Sequence, residues 1–408
     1  MAIPTPKTKN ARAKNPSAIV ALTGARMVAQ AMRQTNPDVV AAFPITPTTM
    51  MIEVFSQFAA NGEVDTEFIA VESEHSSISA CIGATAAGGR AQTVTTSQGL
   101  ALMFEILYVA SGLRLPVVMH CANRGLSAPV TLHTDHGDTM GVRDSGWIQL
   151  YDANGQEAYD NALMSVRIAE HPDVMLPVLH TQDGFTVTHN LTGAMLLSDD
   201  EVKGFLGEYH PVKSLFDRLN PVSIGTVSYS DFYFELKRQH MEAMENARRV
   251  IVEVGEEYGR LSGRTYGLTE GYRLEDADFA AVVLGSTSGT VKAAVDSLRQ
   301  DGVKAGMLRV RSFRPFPIAE VAEALNGKAA VAVLDRAVSL GGSAHPLFQD
   351  TCAALYANGV NVKMIDYLYG IGGRDASVAD FKNVFTELEQ AASSDRPLPM
   401  VRYVGLRE

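Results

Sequence analysis

Short apolar runs recur along the first third of the chain, and each is followed by residues whose apolar positions repeat at helical spacing. Residues 18–33 begin with such a run and continue in helical spacing. VVAAFPI (39–45) predicts a buried strand. The turn Pro44-Ile45-Thr46-Pro47 then excludes a continuing helix or a central strand, and a helix is expected behind it through about Phe58. EFIAVESEH (67–75) reads as a strand ending in a cluster of acids, and SSISACIGATAAGG (76–89) as a helix of small residues. RAQTVTTS (90–97) is a predicted strand, QGLALMFEILYVASG (98–112) a helix, and LPVVMHCANRG (115–125) a strand ending on Arg124. This alternation predicts a parallel α/β sheet, in which ligands gather beyond the carboxyl ends of the strands. Four of those ends carry Thr46, Glu74, Ser97 and Arg124, which are expected on one edge.

Beyond residue 184 the pattern weakens until about 228. Residues 232–261 form a long amphipathic helix with charges on its outer face, and GYRLEDAD (271–278) reads as a connection between two units. A second α/β unit follows, with predicted strands at 279–285, 304–313, 329–336 and 362–370. The division expected is a loose basic tail at 1–17, a first domain with its connecting helix at 18–265 and a second domain at 266–408.

Composition narrows the chemistry. With 408 residues, 46% of them hydrophobic and 20% charged, the chain has the make-up of a globular protein of two or three domains. A net charge of −11 argues against a nucleic-acid surface and gives no reason to expect a membrane one. No apolar run approaches the roughly 18–20 residues of a membrane helix, and the first 17 residues lack the apolar stretch of a secretion signal, so a cytoplasmic location is expected. Three distant cysteines, with no CxxC, cannot ligate an iron–sulfur cluster.

Several residues could carry chemistry. Glu74, ahead of a helix with almost no side-chain bulk, is placed where a ring or a backbone can approach closely, or it caps that helix. Arg124 offers planar bidentate contact to a carboxylate, and Thr46 on the same edge could help hold a small anion; a salt bridge to a local aspartate is the alternative for Arg124. His133, Asp135, His136 and Asp138 in LHTDHGDTMGVRDSGW could form a metal cluster, although they lack a helical His pair and suit a polar interface loop as well. GSTSG (285–289) and YGIGG (369–373) could meet a phosphate, but ordinary strand–helix turns explain them better.

Taken together, FPITPTT, VESEHSSISACIGATAAGGRAQTVTTSQGLALM, LPVVMHCANRGLSAP, HTDHGDTMGVRDSGWIQLYDANGQEAYDN, LRVRSFRPFP and YGIGGRD resemble the alpha subunit of 2-oxoacid:ferredoxin oxidoreductases, most closely the pyruvate group. The resemblance runs from about residue 18 to the end. It implies a pyrimidine-binding thiamine diphosphate domain of α/β type, followed by a transketolase C-terminal-like α/β domain. It implies oxidative decarboxylation of a 2-oxoacid with coenzyme A and reduction of ferredoxin. A beta subunit would hold the diphosphate and Mg2+, and gamma and delta subunits would complete the complex, with 4Fe-4S clusters on partner chains. Glu74 matches the glutamate that bonds the pyrimidine ring and favours its imino tautomer. Arg124 and Thr46 match the residues that hold the substrate. Pro44, Ile45, Ser97 and Gln98 are expected beside the cofactor, and TTSQGL (95–100) departs from the usual family pattern. A 2-oxoglutarate or 2-oxoisovalerate enzyme of the same family, a cluster-free transketolase or E1 chain, and a non-catalytic scaffold subunit are the competing readings.

Overall fold

The computed structural model describes residues 19–394 and 399–407, so the expected tail at 1–17 lies outside the described residues. In chain order the first part runs β1 (Ile19–Thr23), α1 (Gly24–Thr35), β2 (Val39–Ala42), α2 (Thr49–Ala60), β3 (Glu67–Ala70), α3 (Glu74–Ala86), β4 (Ala91–Thr95), α4 (Ser97–Leu102), α5 (Phe104–Gly112) and β5 (Val118–Asn123). It continues with α6 (Gly137–Gly141), β6 (Ile148–Tyr151), α7 (Gly155–Glu170), β7 (Val178–Asp183), β8 (Leu191–Met195), α8 (Asp199–Leu206) and α9 (Tyr233–Ser262). The remainder is β9 (Thr269–Tyr272), β10 (Phe279–Val283), α10 (Thr287–Gln300), β11 (Ala305–Val310), β12 (Ser312–Arg314), α11 (Ile318–Leu325), β13 (Ala330–Asp335), α12 (Pro346–Ala357), β14 (Lys363–Leu368), α13 (Val378–Ala392) and β15 (Val401–Tyr403).

Two sheets organise these elements. One has seven strands in the order β12-β6-β7-β5-β4-β2-β3, parallel except for β12. The other has six in the order β15-β14-β13-β10-β11-β9, parallel except for β9. β1 and β8 form a separate antiparallel pair. Strands β4, β5 and β7 are buried along their whole length, as strands covered by helices on both faces must be. The long helix α9 buries only the stripe Ala243, Ala247, Val250, Ile251, Val254, Tyr258 and its glycine neighbour, which recurs at three- and four-residue steps. Among the described residues no helix is long and apolar enough to cross a membrane.

Several local expectations are corrected. The helix expected over 98–112 breaks at Met103 into α4 and α5. The strand expected over 304–313 ends at Val310, and the chain crosses to the seven-stranded sheet as β12, where Phe313 is fully buried. Residues 271–278, expected as a linker, begin inside β9. The weakly patterned stretch holds β8 and α8, the latter started by a capping box between Ser198 and Glu201. A second capping box, Ser377 with Asp380, starts α13, a helix missing from the expected elements although its buried residues Phe381, Val384, Phe385, Leu388 and Ala391 follow helical spacing.

Candidate functional site

The strand ends of the seven-stranded sheet do bring Thr46, Glu74, Ser97, Gln98 and Arg124 together. Arg124 follows β5 directly and is 9% exposed. Its Nη1 donates to the Thr46 carbonyl at 2.6 Å, and its Nη2 lies 3.4 Å from Gln98 Oε1. Its Nε is buried with no partner. Burial lowers the Arg124 pKa, while the charges of Asp138 and Glu74 work against that shift. The guanidinium is therefore held by neutral carbonyl oxygens through two of its five N–H groups, and the remainder suit a carboxylate arriving from outside. Thr46 is exposed, and the contact to Arg124 uses its backbone. Pro44 is exposed beside it and Ile45 half-buried.

Glu74 is the first residue of α3, not the end of a strand; β3 already stops at Ala70. Nor does it cap the helix. Ser73 does so, its hydroxyl accepting from the Ser76 N–H. Glu74 is 7% exposed, and its carboxylate takes part in no hydrogen bond to a described residue. Opposite it lies Gly99, where a Cβ would come 2.8 Å from Glu74 Oε1 and 2.6 Å from Thr95 Oγ1. The Thr95 hydroxyl is also buried without a partner. A carboxylate and a buried hydroxyl with no partner among the described residues, packed against a glycine that has no room for a Cβ, leave hydrogen-bonding capacity for an incoming group. A flat heteroaromatic ring with a nitrogen acceptor and an amino group fits this chemistry.

The segment 132–147 does not form a metal cluster: among the described residues no group of His, Cys, Asp and Glu has that arrangement. Its residues point to different partners. Asp135 accepts from the Gly137 and Gly372 N–H groups, each at 3.0 Å. His136 Nε2 lies 2.8 Å from Asp183 Oδ1. The His133 ring packs on Phe185 with 5.6 Å between centroids. Asp138 turns inward. Its Oδ2 accepts from the Ser97 and Arg124 N–H groups, each at 3.0 Å, and its Oδ1 accepts from Asn123 Nδ2 and the Thr139 N–H, each at 2.8 Å. Burial pushes its pKa up to about 6 in spite of those donors. No local pattern in the sequence assigns Asp138 this role, because Ser97 is 41 residues away from it.

The two glycine loops hold carboxylates. The Ser286 N–H and hydroxyl of GSTSG both bond Asp183, and Gly372 of YGIGG bonds Asp135. Burial opposes ionisation of Asp183, yet Arg336 and His136 hold it well below the usual carboxylate range. These contacts tie the second sheet to the loop that carries Asp138.

The site is an open edge. The cleft of about 310 Å3 lined by Asn154, Ser286 and Arg336 contains none of Thr46, Glu74 or Arg124. Around the site Leu102, Phe104, Tyr108, Val130 and Leu132 are exposed.

Comparison with known proteins gives two family matches. The family described as pyruvate flavodoxin/ferredoxin oxidoreductase, thiamine diphosphate-binding, matches residues 30–256, and pyruvate:ferredoxin oxidoreductase core domain II matches residues 277–381. Pyruvate synthase subunit PorA of Thermotoga maritima is 49% identical over 95% of this chain and 98% of its own length. Its namesake from Methanocaldococcus jannaschii is 44% identical over the same shares. Ketoisovalerate oxidoreductase subunit VorA of Pyrococcus horikoshii is 41% identical over 92% of this chain and 95% of its own. Among solved structures, 2-oxoglutarate:ferredoxin oxidoreductase from Magnetococcus marinus superposes with a TM-score of 0.72 at 18% identity, over 91% of this chain and 66% of that one. A split-gene transketolase superposes with a TM-score of 0.55 at 13% identity, over 92% of this chain and 100% of that one. These last two likenesses concern the fold.

Proposed function

The chain belongs to the pyruvate flavodoxin/ferredoxin oxidoreductase family, and from that premise we propose that it is the alpha-type subunit of a heteromeric pyruvate:ferredoxin oxidoreductase. The reaction converts pyruvate and coenzyme A to acetyl-CoA and CO2, and passes two electrons through iron–sulfur clusters to ferredoxin. The observation that carries this reading is the Glu74 carboxylate and the Thr95 hydroxyl, packed against Gly99 without a partner among the described residues, beside the clamp of Arg124 and Thr46.

When bound, thiamine diphosphate supplies the carbon nucleophile and the electron sink of decarboxylation. This chain's residues hold the two ends of the reaction. Glu74, 7% exposed, would hold the pyrimidine ring through its ring nitrogen, and a partner chain closing the edge would exclude water there. Arg124 receives the 2-oxoacid carboxylate on the guanidinium N–H groups that Thr46 and Gln98 leave free. The Thr46 hydroxyl, on a turn stiffened by Pro44 and Pro47, donates to a substrate oxygen. Ser97, Gln98, Pro44 and Ile45 flank the cofactor. A beta subunit would close the open edge and hold the diphosphate with Mg2+, which accounts for the exposed apolar side chains around it. Gamma and delta subunits would complete the complex in the cytoplasm, and partner chains would supply 4Fe-4S clusters, since this one has three cysteines.

A branched 2-oxoacid is the second reading, favoured by the 41% identity to the ketoisovalerate subunit. The deciding experiment is anoxic purification of the complex, followed by pyruvate, 2-oxoglutarate or 2-oxoisovalerate with coenzyme A. Bleaching of the cluster absorbance by pyruvate in preference to the others is expected. Bleaching by 2-oxoisovalerate alone would move the substrate, and no bleaching in an intact complex would sink the oxidoreductase reading.

A further inference from the structure

We propose that Asp138 is the positioning residue for the 2-oxoacid clamp, fixing Arg124 and the Ser97-Gln98 turn as one body through a single carboxylate oxygen. The inference rests on the reading that Arg124 binds the substrate carboxylate.

Among the described residues no acid hydrogen-bonds the Arg124 guanidinium, although the charges of Asp138 and Glu74 act on it. Its hydrogen bonds there go to the Thr46 carbonyl and, at 3.4 Å, to Gln98 Oε1. Its direction therefore depends on where its backbone is held, and the Arg124 N–H is held by Asp138 Oδ2. The same oxygen holds the N–H of Ser97, next to Gln98. Ser97 adopts φ +47°, a left-handed conformation that a residue with a Cβ keeps only when its surroundings enforce it. The other oxygen is occupied by Asn123 Nδ2 and the Thr139 N–H, so each face of the carboxylate meets donors alone. An amide cannot replace it. Whichever way an asparagine side chain turned here, its NH2 would confront N–H donors on one face.

The test uses the purified complex and two readings of the clamp: the KM and kcat for pyruvate, and the calorimetric Kd for oxamate, an unreactive carboxylate of similar shape. Asp138→Asn is expected to raise KM and Kd by about ten- to a hundredfold while kcat changes far less, since a displacement of about 1 Å has that scale of effect. Asp335→Asn is the structural control. Asp335 is also a buried carboxylate that accepts two backbone N–H groups, from Leu347 at 3.0 Å and Phe348 at 2.9 Å, in the other sheet. Its replacement is expected to lower the thermal midpoint and leave KM and Kd alone. Unchanged KM in Asp138→Asn, or an equal rise in Asp335→Asn, overturns the inference. If Asp138→Asn does not assemble, Asn123→Ala decides: it removes one donor to Asp138, a rise of about fivefold is expected, and no rise overturns the inference. Wild-type KM in Arg124→Ala would instead overturn the carboxylate reading, and this inference with it.

Discussion

Glu74 is a carboxylate that the protein keeps buried and that makes no hydrogen bond to a described residue. That makes its contributions to stability and to activity separable. Replacement by alanine removes a favourable charge at the start of α3, worth about 0.3–1 kcal/mol. It also removes the group proposed for acid–base work. Glu74→Ala is therefore expected to lower turnover by ~10²-fold or more with a thermal midpoint close to wild type. Turnover near the wild-type level would reduce Glu74 to a helix-start residue and favour a scaffold role for the chain. At this scale the sequence is most informative where one residue type has one use. Glu74 and Arg124 each leave two uses open by residue type, a helix cap and a salt bridge being the alternatives, and only the resemblance to a family supplies their roles. Asp138 is legible in neither way, because an aspartate among histidines suggests a metal until its backbone partners are known.

Elements begin and end where the caps and the crowded contacts dictate. Ser73, Ser198 and Ser377 each accept an N–H three residues on, and each can be read directly from the sequence. Close approaches cannot. Gly255 lies in the middle of α9, where composition alone would assign it a cost. A Cβ at this position would stand 1.9 Å from the Tyr266 carbonyl oxygen, because the chain folds back along the helix after Gly263. Gly255→Ala is accordingly expected to destabilise the protein by about 1–3 kcal/mol, the range for overpacking, in contrast to the gain that helix propensity would give. Equal or greater stability in denaturant unfolding would mean that the connection 263–268 yields easily.

The whole molecule carries a buried polar chain across the centre of its seven-stranded sheet. Gln92 of β4, His120 of β5, His180 of β7 and Asp152 after β6 are linked by contacts of 3.1, 2.6 and 2.9 Å. Burial lowers the pKa of both histidines, that of His180 to about 3, and burial with Glu157 nearby raises that of Asp152. Two neutral rings close the chain if His120 donates to Gln92, His180 donates to His120, and Asp152 keeps the last proton. The sign follows for stability. The unfolded chain protonates each histidine near pH 6.5, whereas the folded one holds His180 neutral down to about pH 3. The advantage is complete above about pH 7 and is lost as pH falls, by up to about 1.4 kcal/mol per unit for each histidine. The stability difference between wild type and His180→Gln is therefore expected to shrink from pH 7.5 to 5.5. A difference independent of pH would mean that His180 takes up its proton over the same pH range in the fold as in the unfolded chain.

By itself the sequence determined the alternation of strand and helix, since local apolar spacing and turn residues act over a few neighbours. It also determined that Thr46, Glu74, Ser97 and Arg124 follow successive strands onto one edge, although Glu74 and Ser97 open helices rather than end strands. Tertiary structure alone decided that β12 leaves its own unit for the other sheet, since a strand's period of two does not name its neighbour. It alone decided that Asp138 clamps two segments, one 41 and the other 14 residues away, and that both glycine loops face carboxylates from the first sheet's side. Hydrogen bonds of that kind depend on separation in space, on which local pattern is silent.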